Sequence, residues 1–293
     1  LSAVETASAP LPARATHGRR PSTLTALRWE LRKLVSQKRT YLGLGLAALF
    51  PLIFVVFENL HQRHGHGGGL SIFSGQITAS GLATPVLTLE FLSAFMLPLI
   101  ASLVAGDIVA AEDGNGTLKT ILTRSVDRSQ VFAAKALAAT LYAALAVYVS
   151  AAVATIGGVA SWGFHPVITL SGTTVSAPEA LLLVFASNAM YLIPMLGVVA
   201  FGLALSTATR NSAASVVGAV GFVILLYIVA AIPGLEGIQP YLLTEQFANW
   251  HGLLRTPTDW APILHSLWVC ALYAAPALIA GYLVFLRRDV AGG

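Results

Sequence analysis

The sequence predicts an all-α fold. It reads as a polytopic bundle of six transmembrane helices, with an N-terminal amphipathic interfacial helix and short extracellular re-entrant helices before the last span. Three observations carry this reading. Of 293 residues, 56% are apolar and only 10% charged, whereas a soluble domain is about one-quarter charged. The apolar residues gather into six runs, each long enough at about 1.5 Å per residue to cover the roughly 30 Å of a bilayer's hydrocarbon core. The basic residues sit almost entirely in alternate connections between those runs.

The elements follow in order. Residues 1–21 are rich in Ala, Pro, Ser, Thr and Arg without an apolar period, so a disordered cytoplasmic tail is expected there. Over 22–39, with Ser22 as N-cap after Pro21, Leu24, Leu27, Leu31, Leu34 and Val35 recur at helical spacing. Arg28, Arg32, Lys33, Lys38 and Arg39 fill other positions and Trp29 offers an interfacial anchor, a pattern suited to the inner leaflet. The spans are expected over 41–60, 82–106, 130–159, 180–208, 212–232 and 261–286, within a six-span transmembrane region of 40–288. Pro51 can kink the first, and the third is long enough to tilt or to project from the membrane. Residues 107–128 are too charged to cross lipid. The turn Thr209, Arg210, Asn211 is short enough to force spans four and five antiparallel. Between Pro233 and Trp260, Leu235, Ile238, Tyr241, Phe247 and Trp250 alternate with Pro, Gly, Glu and Asn, a mixture that fits short interfacial or re-entrant helices.

Of the 17 Lys and Arg residues, all but Arg63 and Arg255 fall before the first span, between spans two and three, at Arg210 or at the carboxyl end. The positive-inside rule then puts both termini in the cytoplasm, as an even number of spans requires, and the protein in the cell membrane. The first forty residues hold no apolar core of signal-peptide length, so the first span is expected to direct insertion. The net charge of +4 does not indicate nucleic acid, because the cations sit beside apolar runs and suit an anionic leaflet. Cys270 is the single cysteine and lies in an apolar run, which excludes an intrachain disulfide or a thiolate metal cluster.

The segment between spans two and three carries the most information. Asp107, Glu112, Gly116, Thr117, Leu118, Leu122, Arg128 and Lys135 follow one another there, with Leu118, Ile121 and Leu122 on one face of a short helix. This series resembles the permeases of type-two ATP-binding-cassette transporters (ABC-2), exporters whose six-helix fold is shared with the ABC G subfamily. In them the second span ends in an acidic residue, followed by Glu, Gly-Thr-Leu, a further Leu, and then Arg and Lys entering the third span. The layout of most of the chain agrees as well. A Pro expected near Ser125 is absent, and Asp127 stands where Ser is common.

The resemblance implies that Glu112 to Leu122 form a coupling helix seated in a groove of a separate ATPase subunit, with Arg128 in the same coupling set. It also implies that ATP and Mg are bound by that partner, in two copies. Two permeases, identical or related, would pair around a path bordered by spans two and five. The sequence contains no G-x-x-x-x-G-K-[ST] phosphate loop, so no ATPase activity of its own and no cofactor are expected.

Glu90 lies inside the second span, where a carboxylate costs about 2.5 to 3.5 kcal/mol unless paired or hydrated. It either contacts a cationic or polar substrate in the path or locks helix packing through a hydrogen bond. Asn188 and Tyr227 either line the path or join helices. Gly197, Gly202, Gly218 and Gly221 allow close backbone approach. His61, His64 and His66 are weak metal candidates among flexible glycines, and no metal site is expected.

The function predicted is the permease subunit of an ATP-driven exporter. An intramembrane enzyme lacks H-E-x-x-H here and stands as the alternative, together with a non-transporting membrane scaffold.

Overall fold

The computed structural model describes residues 22–63, 79–117 and 127–287. The expected tail over 1–21, His64, His66, and the coupling residues Leu118, Ile121 and Leu122 lie outside the described residues. The described residues are mostly helical, and the one sheet among them is a hairpin of two two-residue strands.

Helix α1 spans Thr23–Ser36, and its N-cap Ser22 accepts from the Thr25 amide. Its buried residues are Ala26, Glu30 and Leu34, which turn toward helix α6 (Arg128–Trp162). Leu24 and Val35 are exposed, and the inward stripe at spacing i, i+4 carries a glutamate. One residue, Gln37, separates α1 from α2 (Lys38–Arg63), which holds Pro51 inside it.

The second expected span is not one rod. It consists of α3 (Ala83–Ser93) and α4 (Met96–Ala105), whose axes diverge by 63°. Phe95 leaves helical geometry at φ −141°. The cause is three residues further on: inside a continuous helix, the Pro98 ring would clash with the carbonyl of Ala94 and remove a hydrogen bond. With the break at 94–95, Pro98 falls in the first turn of α4, where an amide has no partner in any case.

Beyond the short helix α5 (Ala110–Gly114) and α6, strands β1 (Val167–Ile168) and β2 (Thr174–Val175) pair antiparallel, Val167 opposite Val175. Helix α7 (Ala177–Thr209) starts three residues earlier than predicted. Ser176 and Glu179 form a reciprocal capping box, so Glu179 serves as a helix start and not as loop. Arg210 is left-handed at φ 54°, Asn211 caps α8 (Ser212–Ala230), and the antiparallel pair results. Two 3₁₀ segments, Gln239–Tyr241 and Glu245–Leu254, occupy the region before α9 (Ala261–Arg287).

Among the described residues, five helices are long and apolar enough to cross a membrane, or six where the bent α3–α4 pair counts as one span. Helix α6, at 35 residues, is about 52 Å long and overshoots the hydrocarbon core by about 20 Å. Among the described residues, Arg63 and Arg255 lie at the end of the bundle with the hairpin. The other Lys and Arg lie at the end with α1.

Helix α7 is the hub, packed against α9, α8, α6, α4 and the second 3₁₀ segment. Tyr191, Met195 and Leu203 of α7 meet Ile100, Val104, Leu243, Phe247 and Trp250 in one core. Lipid tails are as apolar as leucine, so such a bundle coheres through close packing more than through the hydrophobic effect. Gly81 and Gly158 show how: a Cβ on Gly158 would lie 2.3 Å from the Gly81 carbonyl oxygen. Gly202 abuts Ala105 and Gly197 abuts Leu243, as expected, while Gly221 faces open space.

Candidate functional site

At the α1 end, the segment leaving α4 is fastened to every element around it. Asp107 is buried, ion-pairs with Arg39 of α2 and accepts from the Ser212 hydroxyl of α8. The Ile108 carbonyl accepts from Lys135 of α6 at 3.1 Å. The Val109 and Ala110 amides both donate to Ser206 Oγ of α7, at 3.1 and 3.0 Å, satisfying donors that α5 leaves open. Glu112 ion-pairs with Lys33 of α1 and with Lys135 Nζ, the latter at 2.5 Å. Asp113 faces Arg210 at 3.6 Å.

Lys135 is the centre of this arrangement. Its ammonium is fully buried, a position tolerable only with paired charges. It reaches Glu30 at 3.0 Å besides Glu112 and the Ile108 carbonyl. Glu30 in turn holds Lys33 at 2.8 Å. Two lysines and two glutamates form a closed, neutral quartet joining α1, α5 and α6. Burial pushes the Glu30 carboxyl up, but the Lys135 and Lys33 ammonium groups outweigh it and hold it below the usual range. Burial and the neighbouring Lys135 bring Lys33 down to about 8.

Glu112 therefore points inward, and its carboxylate is engaged within the chain. Gly116 is left-handed at φ 68° and ends the described stretch together with Thr117, whose hydroxyl donates to the Glu112 carbonyl. Arg128 donates to the Leu286 carbonyl at 2.8 Å, closing the end of α9.

At the hairpin end, Glu90 of α3 meets His251 Nε2 at 2.8 Å. The pair stands at a cavity of about 250 Å³ between α3, the hairpin, α7 and the second 3₁₀ segment. Asn188 is buried and donates to the Val184 carbonyl of its own helix, while Tyr227 packs against the core from α8. His61 ends against Phe57, and the described residues contain no cluster of metal-binding side chains. The structure thus joins Glu112 to Lys135, ties Asp107 beside them to Arg39 and Ser212, and turns Asn188 to the backbone of its own helix.

Sequence reasoning did not find Glu30, Lys33, Arg39, Ser206, Ser212 or His251. For Glu30 a signal existed, since it is the acidic member of the stripe Ala26, Glu30, Leu34. For His251 there was none, because its partner lies 161 residues away.

Fold and site define a multi-pass helical membrane protein whose α1 end is held by buried ion pairs. The chain belongs to the family described as a protein of unknown function, DUF2705, whose model matches residues 70–291. It is 37% identical over 76 residues to a protein of Stutzerimonas stutzeri named probable ABC transporter permease protein NosY, a stretch covering 26% of this chain and 28% of that relative. The protein of the same name from Pseudomonas aeruginosa PAO1 is 26% identical over 248 residues, covering 74% of this chain and 85% of that one.

Proposed function

We propose that this chain is the permease subunit of an ATP-driven exporter of the type-two ABC class. In this reading a separate ATPase docks on residues 114–126 at the cytoplasmic α1 end, and two permease chains enclose the substrate path. Similarity to permeases named NosY supports the class.

The observation that carries the mechanism is the clamp on 107–113. A push from an ATPase on the residues that follow Gly114 enters a segment bonded to α1, α2, α6, α7 and α8. Since Lys135, Glu30, Lys33 and Glu112 satisfy one another, the segment moves with those helices and not independently of them. Motion at the partner is thereby delivered to the spans. Glu90 serves the path at its outer end, and both termini stay in the cytoplasm.

The test uses Cys270, the single and buried cysteine, replaced by Ala as a silent background. Thr117→Cys in that background is expected to cross-link to a co-expressed ATPase of the same genome in membranes, and the complex to hydrolyse ATP faster than the ATPase alone. Labelling of that cysteine by an impermeant maleimide from outside intact cells would sink the reading.

A further inference from the structure

The cavity at the hairpin end is built as a ligand site. Its walls are apolar: Leu82 just before α3, Leu87 of α3, Leu183 of α7, and Trp250 and Leu254 of the second 3₁₀ segment. Leu82 and Trp250 are each at most 2% exposed, so the floor is firm, while Glu90 and His251 reach solvent at the rim. Glu90 and His251 are the ionisable groups on its wall, and Thr169 adds one hydroxyl.

Size and charge narrow the ligand. A dry apolar cavity of about 150 Å³ accepts benzene, so about 250 Å³ accepts one ring with a short aliphatic arm. A carboxylate beside apolar walls attracts a cation more strongly than it would in water and repels an anion. His251, its ring tilted against Trp250 with centroids 4.2 Å apart, already occupies Glu90 Oε2 and competes for it.

We propose that this cavity binds an apolar monocation, its ammonium on Glu90 and its hydrocarbon against Trp250 and Leu87, with the His251 ring displaced from Glu90 as the ligand enters. The ligand is a cargo class for the permease proposed above, and the assignment rests on that reading for the ligand's onward route only. Binding itself requires neither ATP nor a partner.

The experiment is a calorimetric titration of the full chain in nanodiscs with 4-phenylbutylammonium, 4-phenylbutanol and 4-phenylbutyrate. Empty nanodiscs of the same lipid subtract partition into the bilayer. The cation is expected to bind at least tenfold more tightly than the alcohol, and the acid not to saturate. Glu90→Gln removes the cation's advantage and leaves the alcohol unchanged, which also shows that the variant is folded. His251→Ala, by removing that competitor for Glu90 Oε2, tightens the cation by about threefold or more. Equal affinity for all three probes, no saturable binding, or weaker cation binding in His251→Ala would overturn the proposal. Each of those results leaves the ATPase cross-link at Thr117 untouched, and failure of that cross-link leaves the titration untouched.

Discussion

Lys135 shows what one residue can commit a structure to. Its buried ammonium is held by two carboxylates and a carbonyl, and removing one member of such a set strands the others in low dielectric. Lys135→Met is expected to cost about 3 to 5 kcal/mol in unfolding free energy, read by denaturation in mild detergent. The triple variant with Glu30→Gln and Glu112→Gln recovers most of it, and a triple variant no better than the single would contradict a closed quartet. The titrating groups of α1 give the pH dependence. Lys33 falls to about 8 in the folded chain from an ordinary 10.5. Between those values the unfolded chain holds the extra proton, so this contribution to stability rises with pH across that window. Lys33→Arg, which stays charged, flattens that rise in a thermal-melt series. Glu30 is likewise shifted down, from 4.5. Its contribution is present above 4.5 and lost as pH falls through the folded value, and Glu30→Gln blunts that acid loss.

Among the elements, the divided second span matters most. Pro98 was visible in the sequence, and its steric consequence sets the break between α3 and α4. The 63° angle, however, depends on what each half packs against. Helix α3 leans on α6 where Gly81 meets Gly158, and α4 leans on α7 where Ala105 meets Gly202. Gly158→Ala is expected to destabilise by about 1 to 3 kcal/mol through overpacking against backbone that cannot yield. Gly221→Ala, with open space around it, is expected to be neutral or to stabilise by up to about 1 kcal/mol through helix propensity. Equal effects of the two substitutions on thermal stability would show that the close approach is not tight. Sequence spacing flagged Gly221 along with Gly202 because a glycine in an apolar run looks the same whichever way it faces.

For the whole molecule, the two ends have different chemistry. The α1 end is joined by buried charge, and the hairpin end holds an apolar cavity with one ionisable pair. If the α1 end transmits motion, loosening it uncouples the machine without dismantling it. Arg39→Gln, which opens the Asp107 junction, is expected to leave ATPase copurification intact and to lower substrate-stimulated ATP turnover several-fold. Loss of copurification in that variant would instead make Arg39 part of the docking surface. The six apolar runs, the capping signal at Ser22, the short turn at Arg210 that makes spans four and five antiparallel, and the gathering of basic residues at one end were legible in the chain itself. Local hydrophobicity, turn chemistry and charge counting act over a few residues, and the sequence by itself determined them. It also marked Asp107, Glu112 and Lys135 through a family resemblance. Only the tertiary structure decided that Asp107 is bound to Arg39 and Ser212, Glu112 to Lys33 and Lys135, and Lys135 also to Glu30, and that Glu90 meets His251. Those partners lie tens to more than a hundred residues away, and a buried charge chooses its neighbour by where helices pack, which no local pattern encodes.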